Sequence, residues 1–201
     1  MPARGDHDAR RRDVSEAVWR VLAARGFDGL TLRAVAAEMG ASTGLLTHYF
    51  PSKKALVMHA LDIAEERTMN RERRVPPAPG LPALRTALLD VLPLTPAGAA
   101  MNRVWVSSWD GALADPDLAA RESGRYERWR GMLRPHAEKA RELGELPADA
   151  DADDVAATAA AFTHGLVVQA LFDPERFPPE RQTALLDAFL AGLVSRPPRR
   201  P

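Results

Sequence analysis

Apolar residues at Val14, Ala17, Val18, Val21 and Leu22 fall on one stripe at helical spacing, with Arg10, Arg11, Arg12 and Arg20 on the other face. The pattern predicts a helix over about 8–25, closed by Gly26 and Gly29. A second helix is predicted after Thr31, a residue suited to capping. It turns Leu32, Val35, Ala36 and Met39 inward and ends at Gly40. A short third helix follows from Ser42 or Thr43 to Phe50, where Pro51 breaks the pattern. Pro51-Ser52-Lys53 then opens a fourth helix over 53–71, with Leu56, Val57, Ala60, Leu61 and Ala64 as its buried face.

Pro76, Pro77, Pro79 and Pro82, with Gly80, mark a loop or domain boundary. Beyond it the periodicity predicts five amphipathic helices at roughly 81–92, 98–113, 116–143, 152–172 and 179–195, the third kinked or split by Pro135. No stretch alternates with period two, so the fold class is all-α. Residues 1–8 are expected to be a flexible arm and 197–201 a disordered tail.

Composition narrows the chemistry. The 201 residues contain no cysteine, which excludes disulfides, zinc–thiolate sites, iron–sulfur clusters and thiol nucleophiles. The charged N-terminus does not read as a signal peptide, and no apolar run approaches the ~20 residues of a membrane span. A cytoplasmic protein without membrane partners is expected. The net charge is zero but uneven. Residues 1–60 hold nine Lys or Arg against six Asp or Glu, giving +3, and the remainder balances at −3.

Residues 31–50 fit a helix-turn-helix. Two short helices that cross closely need a small residue on the first, a positive-φ residue in the turn and an apolar anchor on the second. Ala36, Gly40 and Leu46 fill these places. An ordinary helical hairpin would use the same residues. The exposed positions decide for DNA: Ser42, Thr43, Gly44, Thr47, His48 and Tyr49 are short polar groups or planar donors, and no acidic residue lies between Ala41 and Leu61. Arg33, in the first turn of the preceding helix, is placed to grip a phosphate or a guanine, and Lys53 with Lys54 at the start of the next helix to meet the DNA backbone. The DNA-binding set is therefore Thr31, Arg33, Ser42, Thr43, Gly44, Thr47, His48, Tyr49 and Lys53.

The stretch GFDGLTLRAVAAEMGASTGLLTHYFPSKKAL, ending at Leu56, resembles the N-terminal signature of the TetR family of bacterial regulators. The resemblance is carried by Gly26-Phe27, Thr31, Val35-Ala36, Gly40, Ser42, Gly44, Tyr49-Phe50, Lys53 and Leu56. Thr47 departs from it, because many members carry a DNA-reaching tyrosine there. In the body, Trp105 to Trp109, Asp115-Pro116, Tyr126-x-x-Trp129 and Gly165-Leu166 resemble the BetI-like branch, without a ligand identity attached. The resemblance implies a DNA-binding domain over 1–55 and a ligand-binding, dimerising domain over 56–196.

Aromatic and methionine residues recur at helical spacing through the body. Met101, Trp105 and Trp109 form one stripe, Tyr126, Trp129 and Met132 another, and Phe162 and Gln169 flank His164 on a third helix. Such stripes pack as plain core or line a cavity. The resemblance implies the cavity, suited to an apolar or aromatic ligand or to a cation held by cation–π contacts. Ala161, Gly165 and Val168 on a small-residue helix, with Leu186, Phe189, Leu190 and Leu193 on the next, suggest a two-fold helical interface rather than burial within one chain. The resemblance implies a four-helix bundle between two subunits.

The five histidines show no paired metal-ligand spacing, and no nucleophile elbow, phosphate loop or dinucleotide fingerprint is present. The Asp149, Asp151, Asp153, Asp154 run lacks the glycine and glutamate of a calcium loop and reads as a helix cap. Neither a cofactor nor an enzymatic activity is expected. The function that follows is a homodimeric repressor, released from near-palindromic double-stranded operator DNA by a small-molecule effector. The alternative is a helical ligand-binding or scaffold protein that has lost DNA binding.

Overall fold

The computed structural model describes residues 4–194, with side chains from residue 9 onward. The expected tail at 197–201 lies outside the described residues, as do residues 1–3 of the expected arm. Residues 4–8 already belong to the first helix. Every regular element among the described residues is helical: α1 (Arg4–Arg25), α2 (Leu32–Met39), α3 (Thr43–Thr47), α4 (Lys53–Met69), α5 (Leu81–Leu89), α6 (Pro96–Ser107), α7 (Trp109–Ala114), α8 (Pro116–Glu142), α9 (Ala152–Phe172) and α10 (Pro179–Val194). The helix expected at 98–113 is two, α6 and α7, parted at Ser108. Pro135 does not split α8, which runs through it.

The described residues form two compact units, one of 4–71 with 103–118, the other of 72–102 with 119–194. In the first, α1 buries Val14, Ala17, Val18, Val21 and Leu22 against α2 and α4. These are the residues of its apolar stripe. From α4, Leu56, Ala60, Leu61, Ile63 and Ala64 enter the same core.

Capping fixes where the short helices begin and end. The backbone N–H of Ala34 donates to Thr31 Oγ1 (3.0 Å), and that of Ala55 to Ser52 Oγ (3.1 Å). Gly40 closes α2 at φ 62°, in the left-handed region. Its N–H donates to Ala37 O (3.2 Å) and the Ala41 N–H to Ala36 O (2.9 Å), a Schellman closure. With the turn set this way, Leu46 of α3 is fully buried and Val35 and Ala36 of α2 lie beside it in the core.

In the second unit α5 packs on α9 and α10. Its core holds Leu84, Leu88, Leu133, Ala137, Ala140, Leu166, Leu186 and Leu190. Gly80 starts α5 at φ 83°, and Glu145 accepts the Leu81 N–H at 2.7 Å. Asp151 accepts the N–H groups of Asp153 (2.8 Å) and Asp154 (3.2 Å) and so caps α9, as its aspartate run suggested. Those two bonds hold the Asp151 carboxyl below its ordinary range.

Contrary to the sequence expectation, one helix is long and apolar enough to cross a membrane by length and composition. It is α9, with a mean hydropathy of 1.6 over its most apolar window. Part of that apolarity enters the core, where Val155, Ala156, Ala159, Ala160, Leu166, Val167 and Ala170 are buried.

Candidate nucleic-acid interface and effector site

Of the nine residues expected to meet DNA, Thr31, Arg33, Ser42, Thr43, Gly44, Thr47, His48 and Lys53 are exposed. Tyr49 is half-buried beside Phe50, their ring centroids 6.4 Å apart. The hydroxyls divide by local chemistry. Thr31 and Ser42 are spent on helix caps, Ser42 Oγ accepting from the Leu45 N–H at 3.4 Å. Thr47 Oγ1 donates to Gly44 O at 2.8 Å, one turn back on its own helix. Arg33, Thr43, His48 and Lys53 have side chains without an intramolecular partner among the described residues, so they carry the free donors of this surface. The acid nearest in sequence to the turn, Glu38, is neutralised by Arg20 Nε at 2.6 Å.

Lys54 does not share the freedom of Lys53. Its ammonium is paired with Asp115 and Asp117, which corrects the expectation that both lysines face the DNA backbone. The sequence could not signal this pairing, because the partners lie some sixty residues away.

The expected effector residues fall in both units. Trp105 is buried in the first unit, where its Nε1 donates to Thr68 Oγ1 at 3.0 Å, and Trp109 belongs to the same unit. In the second unit Met101 is half-buried, Met132 is 42% exposed and Gln169 is exposed. Phe162 stacks on Phe189 of α10, with centroids 4.4 Å apart and planes at 8°. Tyr126 and Trp129 do converge, around His164. Tyr126 meets the imidazole edge-on at 5.0 Å, and Trp129 lies 4.6 Å from it.

Two further members of that cluster escaped the sequence reading. Arg125 lies over the Tyr126 ring at 4.6 Å and donates through Nε (3.0 Å) and Nη2 (2.8 Å) to Glu122 Oε2. Glu122 is buried, and its Oε1 accepts no hydrogen bond. The spacing Glu122, Arg125, Tyr126, Trp129 follows i, i+3, i+4, i+7, one face of α8; that periodicity was the available signal. Burial lowers the His164 pKa to about 4, helped by the Arg125 charge, so its ring is neutral near pH 7.

The interface residues also divide. Ala161 and Gly165 are exposed on α9, while Val168, Phe189 and Leu193 are half-exposed. Leu186 and Leu190 are buried in the second unit's own core, which leaves them no surface to offer a partner and removes them from the interface set.

Residues 15–60 match the family described as bacterial regulatory proteins, tetR family. Residues 81–195 match the BetI-type transcriptional repressor C-terminal domain. The chain belongs to the TetR family. A TetR-family origin accounts for a head built on α1 to α3 followed by α4, and the chain is a helix-turn-helix transcriptional regulator. Its relatives carry that description by name. It is 29% identical over 184 residues to the transcriptional regulator PksA of Bacillus subtilis, covering 90% of this chain and 88% of PksA. It is 25% identical to BetI of Burkholderia mallei over 199 residues, covering 97% and 98% of the two chains. A transcriptional regulator from Saccharomonospora viridis, solved in complex with choline, shares the fold with a TM-score of 0.79 at 24% identity, covering 92% and 96% of the two chains. Within this TetR-family head, Thr47 is the position where hydrogen bonding to the helix's own backbone replaces outward reach.

Proposed function

We propose that this TetR-family chain is a cytoplasmic, non-enzymatic repressor that acts as a homodimer on near-palindromic operator DNA and is released by a small organic effector. Residues 1–55 bind DNA in this reading, and residues 56–196 sense the effector and dimerise. The observation that carries it is the acid-free face of α3. Thr43 and His48 on it, with Arg33 of α2 and Lys53 of α4 beside it in sequence, offer donors with no partner among the described residues to base edges and phosphates. Paired heads would meet successive major grooves about 34–36 Å apart.

The strip of Ala161, Gly165, Val168, Phe189 and Leu193 supports dimerisation through α9 and α10, because it joins small and apolar side chains left uncovered within one chain. Tyr126 and Trp129 around a neutral His164 support an effector with a flat or apolar part, or a cation seated on the aromatic faces. The choline found in the Saccharomonospora viridis regulator is consistent with a small organic effector for this chain. Footprinting the DNA upstream of the gene tests the reading. A protected, two-fold symmetric site that a screened small molecule releases is the expected result. Absence of protection at low salt, or protection that no effector relieves, would count against it.

A further inference from the structure

Lys54 stands in the first turn of α4, next to Lys53 and just beyond α3, the recognition helix in the operator-binding reading. Its ammonium donates to Asp115 Oδ1 at 3.1 Å and to Asp117 Oδ2 at 2.5 Å. Asp115 has a second task. The same Oδ1 accepts the backbone N–H of Asp117 (2.9 Å) and of Leu118 (3.3 Å), so it also caps the start of α8. The two carboxylates raise the Lys54 pKa, and the ammonium lowers that of Asp115. The lysine is thus held charged and occupied.

A second tie lies at the other end of α4, where Trp105 Nε1 donates to Thr68 Oγ1 at 3.0 Å and that hydroxyl donates to Ala64 O at 2.7 Å. Thr68 and Lys54 are fourteen residues apart, roughly 21 Å along a helix. Residues 103–118 are therefore fastened to both ends of α4, all within one compact unit.

We infer that Lys54, Asp115 and Asp117 form a positioning clasp for operator binding: they hold the first turn of α4, and with it Lys53 and the recognition helix, in DNA-binding register, and Lys54 does not itself contact phosphate. This rests on the operator-binding reading above. A plain electrostatic role for Lys54 predicts the opposite sign at its partners. If Lys54 served as a phosphate contact, neutralising Asp117 would free it and remove a nearby repulsive charge, so binding would tighten. With the clasp, neutralising Asp117 loosens the head and binding weakens.

The test is fluorescence anisotropy of the full-length chain on a labelled duplex carrying the footprinted upstream site, across a salt series. Asp117→Asn and Lys54→Ala are each expected to weaken binding about twofold to fivefold, the range of an exposed ion pair. The salt slope should stay that of the wild type. The double variant Lys54→Ala with Asp117→Asn is expected to lose no more than Lys54→Ala alone, because both changes open one clasp. Tighter binding by Asp117→Asn, a slope reduced by about 0.9 per contact in Lys54→Ala, or losses that add in the double variant would each overturn the clasp. Asp117 is 76% exposed, so its variants keep the test open if Lys54→Ala folds poorly. Failure of the wild-type chain to bind the duplex would instead reject the operator-binding reading, and the clasp with it.

Discussion

Thr47 donates its hydroxyl proton to the carbonyl of Gly44 at 2.8 Å, within the recognition helix itself. A hydroxyl bonded to the preceding turn is not aimed at a base. Thr47→Val is therefore expected to change operator affinity by less than about twofold and leave base preference unaltered. Arg33→Ala should lose about 1–3 kcal/mol if its guanidinium reads a base. Anisotropy titrations on the operator and on point-mutated operators separate the two outcomes.

The turn before that helix depends on Gly40. Its φ of 62° disfavours any side chain, although a Cβ there meets nothing within 4 Å. The expected cost of Gly40→Ala is thus backbone strain alone, about 1–2 kcal/mol. Thr31→Ala removes the cap at the other end of α2 and should cost about 1 kcal/mol. Urea unfolding monitored by circular dichroism reads both, and near-equal wild-type and Gly40→Ala midpoints would contradict the assignment.

His164 carries a pH prediction whose sign follows from burial. Its folded pKa of about 4 lies below the ordinary 6.5, so the unfolded chain binds the proton more readily between those values. Stability from this group is complete above pH 6.5 and is lost as pH falls toward 4. At pH 5 the expected loss relative to pH 7 is about 2 kcal/mol. His59, also lowered by burial, acts in the same direction. Unfolding of wild type and His164→Phe at both pH values should show a shallower slope for the variant. Parallel slopes would remove His164 as the source.

Much of this was legible in the sequence because it is local. The stripe Val14 to Leu22, the cap at Thr31 and the turn at Gly40 depend on neighbours within a few residues, and each stands where its pattern put it. The partners of the body's aromatic residues were not legible in the same way. Trp105 and Trp109 share a stripe with Met101, yet Trp105 is committed to Thr68, thirty-seven positions away. Likewise, periodicity gave α10 a wide apolar face but could not say that Leu186 and Leu190 turn inward while Phe189 turns to Phe162. Helical spacing assigns residues to faces; which neighbour covers a face is settled by tertiary packing.

The Glu122–Arg125 pair should be costly to break from one side. Arg125→Met strips Glu122 Oε2 of its donors where Oε1 already has none, and the side chain is only 9% exposed. A loss of about 3–5 kcal/mol is expected. The double change Glu122→Met with Arg125→Leu should recover most of it, because no buried charge then remains. Thermal melts of the three proteins decide the point, and a double variant no more stable than Arg125→Met would refute it.

The α9 strip predicts oligomeric state. Gly165→Arg places a long cation in the middle of a surface of small side chains. It is expected to give monomers by analytical ultracentrifugation and to abolish tight operator binding, while circular dichroism stays helical. Dimers in Gly165→Arg would move the interface elsewhere.

Pro135 sits inside α8 without breaking it. Proline has no amide proton, so the carbonyl four residues earlier, on Gly131, has lost its usual helical donor. That missing rung falls between the stretch bearing Tyr126 and Trp129 and the stretch anchored by Ala137 and Ala140. Helices bend where such a bond is missing. Pro135 is therefore the position along α8 at which a bend between the aromatic half and the alanine half would break no backbone hydrogen bond to residue 131.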